Sequence, residues 1–220
     1  MPTSRTERTS GKSFDLTVDG SVDPKQVVPW EIAHALAQIN RFTGQSRFPV
    51  SVADHSLRAL AVLDAIGAHH RCIRLAVLLH DVPEVYSGDI SRPVILLIDH
   101  LSSGDFRAWK REFETNVLEA VGVTCLEQQG VRSLIKRADN IALMIEHINH
   151  HACSERDWNT ILGLTDEDMA LAQEVAKEEP SRELSWRRAR GKFAMRWVEL
   201  SPDLYLDRDF YDHWEKHHLI

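Results

Sequence analysis

The pair His80-Asp81 stands at the end of an apolar run that begins at Leu75. An imidazole and a carboxylate buried at such a place without a partner cost several kcal/mol of folding free energy. A bound metal ion is a partner that offsets this cost. The pair is therefore the first candidate for a chemical site in this chain.

Two residues elsewhere in the chain could complete a metal site. His55 lies upstream in a Val-Ala-Asp-His-Ser segment, and Asp139 lies downstream in Lys-Arg-Ala-Asp-Asn. Two imidazoles and two carboxylates form a mixed nitrogen and oxygen set, which suits Mn, Fe, Co, Ni, Zn or Mg better than an ion that prefers thiolates. We expect one divalent ion per site, held by His55, His80, Asp81 and Asp139.

This ordered set, followed by Glu84 and Asp89, resembles the HD-domain phosphohydrolases. Within that family it is most similar to the short nucleotidase branch, which includes 5′-deoxynucleotidases and phage-type deoxynucleoside triphosphate hydrolases. The resemblance covers residues 30–146 and includes an Asn-Arg-Phe-Thr-Gly segment before the first histidine. The chain differs from the family pattern at Asp54, where a Glu is expected, and at Val82-Pro83, where small residues are usual.

The resemblance also implies catalytic roles for two acidic residues. Glu84 follows Asp81 by one helical turn, so its carboxylate can face the same cavity without binding the ion. In the family this Glu is linked to the water nucleophile, which makes Glu84 a general base or an orienting group. Asp89 matches a Gly-Asp position near the sugar. Glu146 shares the helical face of Asp139, but it lies about 10 Å further along the axis at 1.5 Å per residue, too far to bind the same ion.

Three residues are candidates for substrate binding. Arg41 could clamp a phosphate, because a planar guanidinium grips two oxygens at once; a structural salt bridge is the alternative. Phe42 could stack on a base, or it could belong to the core. Lys136 lies one turn before Asp139 and could contact phosphate.

These features predict a divalent-metal-dependent phosphohydrolase of 2′-deoxynucleotides, a small-molecule substrate class. Hydrolysis of dATP to deoxyadenosine and triphosphate is the first hypothesis, because the Asn-Arg-Phe-Thr-Gly segment is most similar to phage-type enzymes. A 5′-deoxynucleotidase acting on monophosphates is the alternative. Further alternatives are an alarmone or cyclic-dinucleotide hydrolase, and a helical regulatory module without turnover.

The elements that must position these residues are helices. Apolar spacing predicts helices over residues 30–41, 51–66, 105–121, 126–151, 165–179 and 181–200, and a further helix that begins near His70. Pro83 cannot donate a backbone hydrogen bond, so that helix should kink or end beside His80. We expect an all-α, single-domain HD-type helical bundle over residues 21–200. Residues 1–20 are predicted to be flexible, and residues 201–220 to dock on the body.

Composition limits the function further. The chain has 220 residues, 43% of them hydrophobic, and a formal net charge of -7. An acidic balance argues against binding to a nucleic-acid polymer, and no apolar run reaches the roughly 20 residues of a membrane span. Three cysteines without Cys-x-x-Cys spacing suggest reduced thiols and a cytoplasmic location, which would be the host cytoplasm for a phage protein. By analogy with the family, a homo-oligomer is compatible with these data.

Overall fold

The computed structural model describes residues 4–8, 11–67, 70–150, 158–178 and 185–201. Helices dominate this part of the chain, which confirms the all-α, single-domain prediction. The α-helices are α1 (Pro29–Leu36), α2 (Val52–Ile66), α3 (Arg71–Leu79), α4 (Glu84–Ser87), α5 (Arg92–Leu101), α6 (Asp105–Ala120), α7 (Val131–His150), α8 (Trp158–Leu162), α9 (Asp166–Glu178) and α10 (Trp186–Leu200). None of these helices is both long and apolar enough to cross a membrane.

Three helices, α2, α3 and α7, pack against one another at the centre of the molecule. On one side, α10 packs on α1, α2 and α3, with Phe193 and Trp197 fully buried. On the other side, α9 packs on α7, and Leu63, Ile141 and Ile145 are buried between the helices. The central three helices thus have apolar neighbours on both sides, which fixes their relative positions.

The ends of the central helices follow the expected capping rules. Ser51 accepts a hydrogen bond from the backbone N–H of Asp54 at the start of α2, and Gly67 ends that helix with a φ of 87°. The third helix ends at Leu79, immediately before His80, as Pro83 predicts. Thr165 and Asp168 form a reciprocal capping box at the start of α9.

The N-terminal segment differs from the prediction. Residues 1–20 were expected to be flexible, but an antiparallel hairpin forms from β1 (Ser4–Glu7) and β2 (Ser13–Leu16). Phe14 is fully buried, and its ring stacks on Tyr86 of α4 at a centroid distance of 3.7 Å. The hairpin was not predicted, because the partner of Phe14 lies far along the chain, where a local pattern carries no signal; the flexibility of residues 1–20 stays a prediction.

Several helix bounds also differ from the expected ones. The first helix ends at Leu36 rather than at residue 41, and α7 begins at Val131 rather than at residue 126. Helix α5 was not among the predicted helices; its second residue is Pro93, and proline is tolerated in the first turn of a helix. The predicted docking of residues 201–220 lies outside the described residues, apart from Ser201.

Candidate metal centre and active site

The structure brings the four predicted metal ligands together. His55 lies in the first turn of α2, His80 and Asp81 follow the end of α3, and Asp139 lies in the middle of α7. Asp139 Oδ1 is 3.0 Å from His55 Nε2 and 3.8 Å from His80 Nε2. Asp81 Oδ1 is 3.2 Å from His80 Nε2, and its Oδ2 is 3.7 Å from His55 Nε2.

These separations fit the shell around a single ion. Ligand atoms of His55, His80 and Asp139 all lie within 4.8 Å of one another. Four ligands at about 2.1 Å from a tetrahedral ion are separated from each other by about 3.4 Å. The measured ligand-to-ligand distances bracket that value, and the carboxylate of Asp81 lies close enough to take part.

Both imidazole rings have the orientation that metal-binding histidines adopt. His80 Nδ1 lies 2.7 Å from the carbonyl oxygen of Val77, and His55 Nδ1 lies 2.9 Å from Glu146 Oε1. Because these oxygens can only accept, each Nδ1 carries a proton and donates it. The Nε2 atoms then face the carboxylates, where each can carry a proton or, with a metal ion between them, bind that ion through its lone pair. His80 Nε2 is buried and has no hydrogen-bond partner of suitable geometry among the described residues.

The carboxylates of the cluster favour positive charge beside them. Burial alone would raise the pKa of Asp139, but the hydrogen bond with His55 and the charge of the nearby His80 imidazole hold it well below its usual range. Burial would lower the pKa of His80, yet the carboxylates of Asp81 and Asp139 raise it well above its ordinary value. The carboxylates therefore favour a cation between them, which can be a proton on an imidazole or a metal ion.

Glu146 belongs to the site, although the sequence did not predict this. Its fully buried carboxylate accepts hydrogen bonds from His55 Nδ1 and from Arg58 Nη1, both at 2.9 Å, and from Arg41 Nε at 3.1 Å. It lies two turns beyond Asp139 on α7, and the imidazole of His55 reaches both carboxylates, one through each ring nitrogen. The distance along the helix from Asp139 argued only against Glu146 as a ligand, and its contact with His55 was missed. The seven-residue spacing from Asp139 was the available signal.

Arg41 lies against the candidate metal centre rather than on the surface. Its side chain is 10% exposed, and its Nη1 lies 3.4 Å from Asp81 Oδ2. The guanidinium carbon lies 5.5 Å from the centroid of the Phe42 ring. Backbone hydrogen bonding to Val50 holds Arg41 beside the start of α2. Arg41 thus makes the structural salt bridges that the alternative interpretation predicted. Phosphate binding by Arg41 and base stacking by Phe42 stay predictions.

The backbone after Arg41 is strained. Phe42 and Thr43 have φ values of 57° and 51°, in the left-handed region that side chains other than glycine rarely adopt. For a β-branched residue such as Thr43 this conformation costs about 1–2 kcal/mol. Strain of this kind persists where surrounding contacts hold it, and it is often found at functional sites.

Glu84 and Asp89 lie next to the ligands without belonging to the ligand set. Glu84 begins α4, and its Oε2 is buried with no hydrogen-bond partner among the described residues. Burial and the negative charges of Asp81 and Asp89 raise the pKa of Glu84 well above its ordinary value. Burial likewise raises the pKa of Asp89. An unpaired buried carboxylate oxygen beside a metal centre can accept a proton from a water molecule.

Two lysines contribute positive charge near the centre. Lys136 donates to Asp139 Oδ2 at 2.7 Å, and its side chain is 64% exposed. Lys110 of α6 pairs with Glu114. Burial lowers the pKa of Lys110, while the charges of Glu84, Asp81 and Asp89 act in the opposite direction. Lys110 was not predicted, because residue spacing within α6 does not show which helix the Lys110 side chain faces.

Comparison with known proteins identifies an uncharacterized relative of the chain. No protein-family model matches the chain. The chain is 31% identical over 165 residues to the uncharacterized protein RCAP_rcc00048 of Rhodobacter capsulatus, an alignment that covers 71% of this chain and 78% of that protein. The chain therefore belongs to the same protein family as RCAP_rcc00048 of Rhodobacter capsulatus.

Proposed function

We propose that this protein is a divalent-metal-dependent phosphohydrolase that acts on 2′-deoxynucleotides. The observation that carries the proposal is the convergence of His55, His80, Asp81 and Asp139, with both Nε2 atoms turned toward the carboxylates. The unpaired carboxylate oxygen of Glu84 beside this cluster supports a hydrolytic reaction over a purely structural metal site.

Each part of the site has a role in this reaction. The four ligands hold the ion, which when bound would polarise a phosphate oxygen and lower the pKa of a water molecule. Glu84 orients the attacking water and accepts its proton. Glu146 fixes the ring of His55 in the orientation that presents Nε2, a function that partners of metal-binding histidines commonly have.

Substrate contacts come from the residues around Arg41. Its Nη1 lies 3.4 Å from Asp81 Oδ2 on a largely buried side chain, so it is placed to bind a phosphate oxygen beside the ion. The adjacent Phe42 ring offers an apolar face for a base, and Asp89 offers a carboxylate for a sugar hydroxyl. Lys136 and Lys110 add positive charge for further phosphates. With these groups the first candidate reaction is hydrolysis of dATP to deoxyadenosine and triphosphate.

One observation favours 5′-deoxynucleotidase activity as the second candidate. The cations nearest to the centre already pair with carboxylates: Arg41 with Glu146 and Asp81, Lys136 with Asp139, and Lys110 with Glu114. A triphosphate tail would have to draw several of them away from these partners, whereas a monophosphate would need only Arg41. The substrate assay must therefore include both nucleotide classes.

Product analysis distinguishes these candidates. The purified protein is incubated with dATP and, separately, with dAMP, each with Mn²⁺ or Co²⁺, and the products are resolved by chromatography. Deoxyadenosine and intact triphosphate from dATP are the expected products, and a chelator should abolish their formation. Free phosphate from dAMP with no reaction of dATP would establish the 5′-deoxynucleotidase instead. Inertness toward both would overturn the proposal and leave an alarmone or cyclic-dinucleotide hydrolase or a module without turnover.

A further inference from the structure

Two cysteines lie close together where α3 begins, at the end opposite to the metal ligands. Cys72 is the second residue of α3, and Cys125 precedes α7. Cys72 Sγ lies 3.9 Å from the hydroxyl oxygen of Thr124, the residue next to Cys125. Cys125 is fully buried in the main core cluster, and Cys72 packs against that cluster while remaining partly exposed. His80 is eight residues further along the chain, about 12 Å away along a helix axis.

The two thiols have different reactivities. Burial would raise the pKa of Cys72, but hydrogen bonds with Cys125 and Thr124 lower it below its ordinary value. Its place in the first turn of a helix acts in the same direction. Burial and the neighbouring Cys72 raise the pKa of Cys125 to about 12. A partly exposed thiol that ionises readily beside a buried thiol that does not is the usual arrangement of an attacking and a resolving cysteine.

We propose that Cys72 and Cys125 form a reversible disulfide by exchange with a small disulfide such as oxidised glutathione. The Cys72 thiolate attacks one sulfur of the small disulfide, breaks its S–S bond and releases one glutathione thiolate. Cys125 then gives up its proton and attacks the Cys72 sulfur, which releases the second glutathione. The protein loses two electrons and two protons, and one small disulfide becomes two thiols.

This disulfide would join the start of α3 to the segment that leads into α7. His80 and Asp81 follow α3, and Asp139 belongs to α7, so the bond would link the two elements that supply three of the four ligands. The disulfide is independent of the proposed function, and its test does not require that the protein be a phosphohydrolase.

The test follows the thiols of the full-length protein during titration with oxidised glutathione. Intact mass and non-reducing peptide mapping identify the products, and reduction should reverse them. Wild type should lose two thiols and yield a peptide pair linked through Cys72 and Cys125. The Cys125→Ala variant should stop at a glutathione adduct on Cys72, and Cys72→Ser should form neither product. The Cys153→Ser variant is the matched control and should behave as wild type.

Three results would overturn the proposal. The first is a wild-type protein that keeps both thiols free throughout the titration. The second is a stable glutathione adduct on wild-type Cys72 that never proceeds to the disulfide. The third is a linkage that involves Cys153. Because Cys125 is buried, the fold of Cys125→Ala is checked by circular dichroism, and Cys72→Ser provides the same test at a partly exposed position.

Discussion

The two halves of the site are built from different kinds of structure. The ligand half comprises His55, His80, Asp81 and Asp139, which are held by α2, α3 and α7. The substrate half comprises the turn Arg41–Gly44 and the four-residue helix α4. The ligand helices pack on one another through buried apolar side chains, whereas the substrate half combines short elements with left-handed backbone at Phe42 and Thr43. A metal requires fixed distances, and packed helices supply them.

Arg41 and Glu146 connect the two halves. Arg41 belongs to the substrate turn, but its guanidinium donates to Glu146 of α7 and lies beside Asp81. Glu146 in turn holds the ring of His55. We therefore expect a substitution in one half to affect the other through these hydrogen bonds. The following variants measure how far metal binding and catalysis can be changed independently, in order of decreasing effect.

Glu84→Gln should have the largest effect, because it should lower the rate strongly without changing metal binding by the ligand half. The amide keeps the shape of the side chain but cannot accept the proton of the attacking water. We expect the rate to fall by about 10² to 10⁴ while the metal content stays at the wild-type level. Turnover by steady-state assay and metal by elemental analysis provide the two measurements. Loss of the ion together with the rate would make Glu84 a ligand.

Glu146→Gln should weaken the ligand half through the orientation of His55. The amide removes one negative charge from a position that receives hydrogen bonds from His55, Arg41 and Arg58, so one of these bonds must be lost. We expect metal affinity to fall by about 10- to 100-fold, measured by titration with Mn²⁺. Asp168→Asn is the matched control, because Asp168 is a buried carboxylate that pairs with Arg137 away from the site. If both variants bind metal as wild type does, Glu146 has no orienting role.

Lys110→Gln should have a smaller effect that depends on the substrate. A partly exposed ion pair contributes about 1 kcal/mol or less, so kcat/KM for dATP should fall by about 5-fold while the value for dAMP changes little. Arg107→Gln is the control on the same helix, since Arg107 has a largely exposed side chain and pairs with Asp99 instead of a residue of the site. An equal loss for both nucleotides would show that Lys110 does not contact the outer phosphates.

Thr43→Gly should have the smallest effect, and it should affect stability and binding in opposite directions. Glycine adopts a positive φ without strain, which stabilises the folded protein. Glycine also has a larger conformational entropy in the unfolded chain, which offsets part of this gain, so the free energy of unfolding should rise by about 1 kcal/mol or less. KM should rise if the strained turn positions Arg41. Ser103→Gly relieves a φ of 54° outside the site and should raise stability without changing KM. Equal KM values for Thr43→Gly and Ser103→Gly would show that the strain at Thr43 does not contribute to substrate binding.

The sequence predicted the ends of the helices around the candidate ligands better than the contacts between distant parts of the site, for physical reasons. The caps of α2 and the helix end before His80 depend on neighbouring residues, so Ser51, Gly67 and Pro83 indicate them locally. The contacts of Glu146, Lys110 and Phe14 depend on how distant helices pack, and one sequence does not specify that packing. The left-handed backbone at Phe42 and Thr43 could not be predicted, because neither residue favours it.

Metal binding tests the central claim most directly. Wild type and the Glu84→Gln, His80→Ala and Asp139→Asn variants are loaded with Mn²⁺ or Co²⁺, dialysed, and analysed for bound metal. The account predicts one tightly bound divalent ion per chain in wild type and Glu84→Gln, and loss of tight binding in the two ligand variants. A wild-type protein without metal, or a His80→Ala variant that binds it equally well, would contradict the claim. The close contacts between imidazoles and carboxylates would then be ion pairs of protonated histidines.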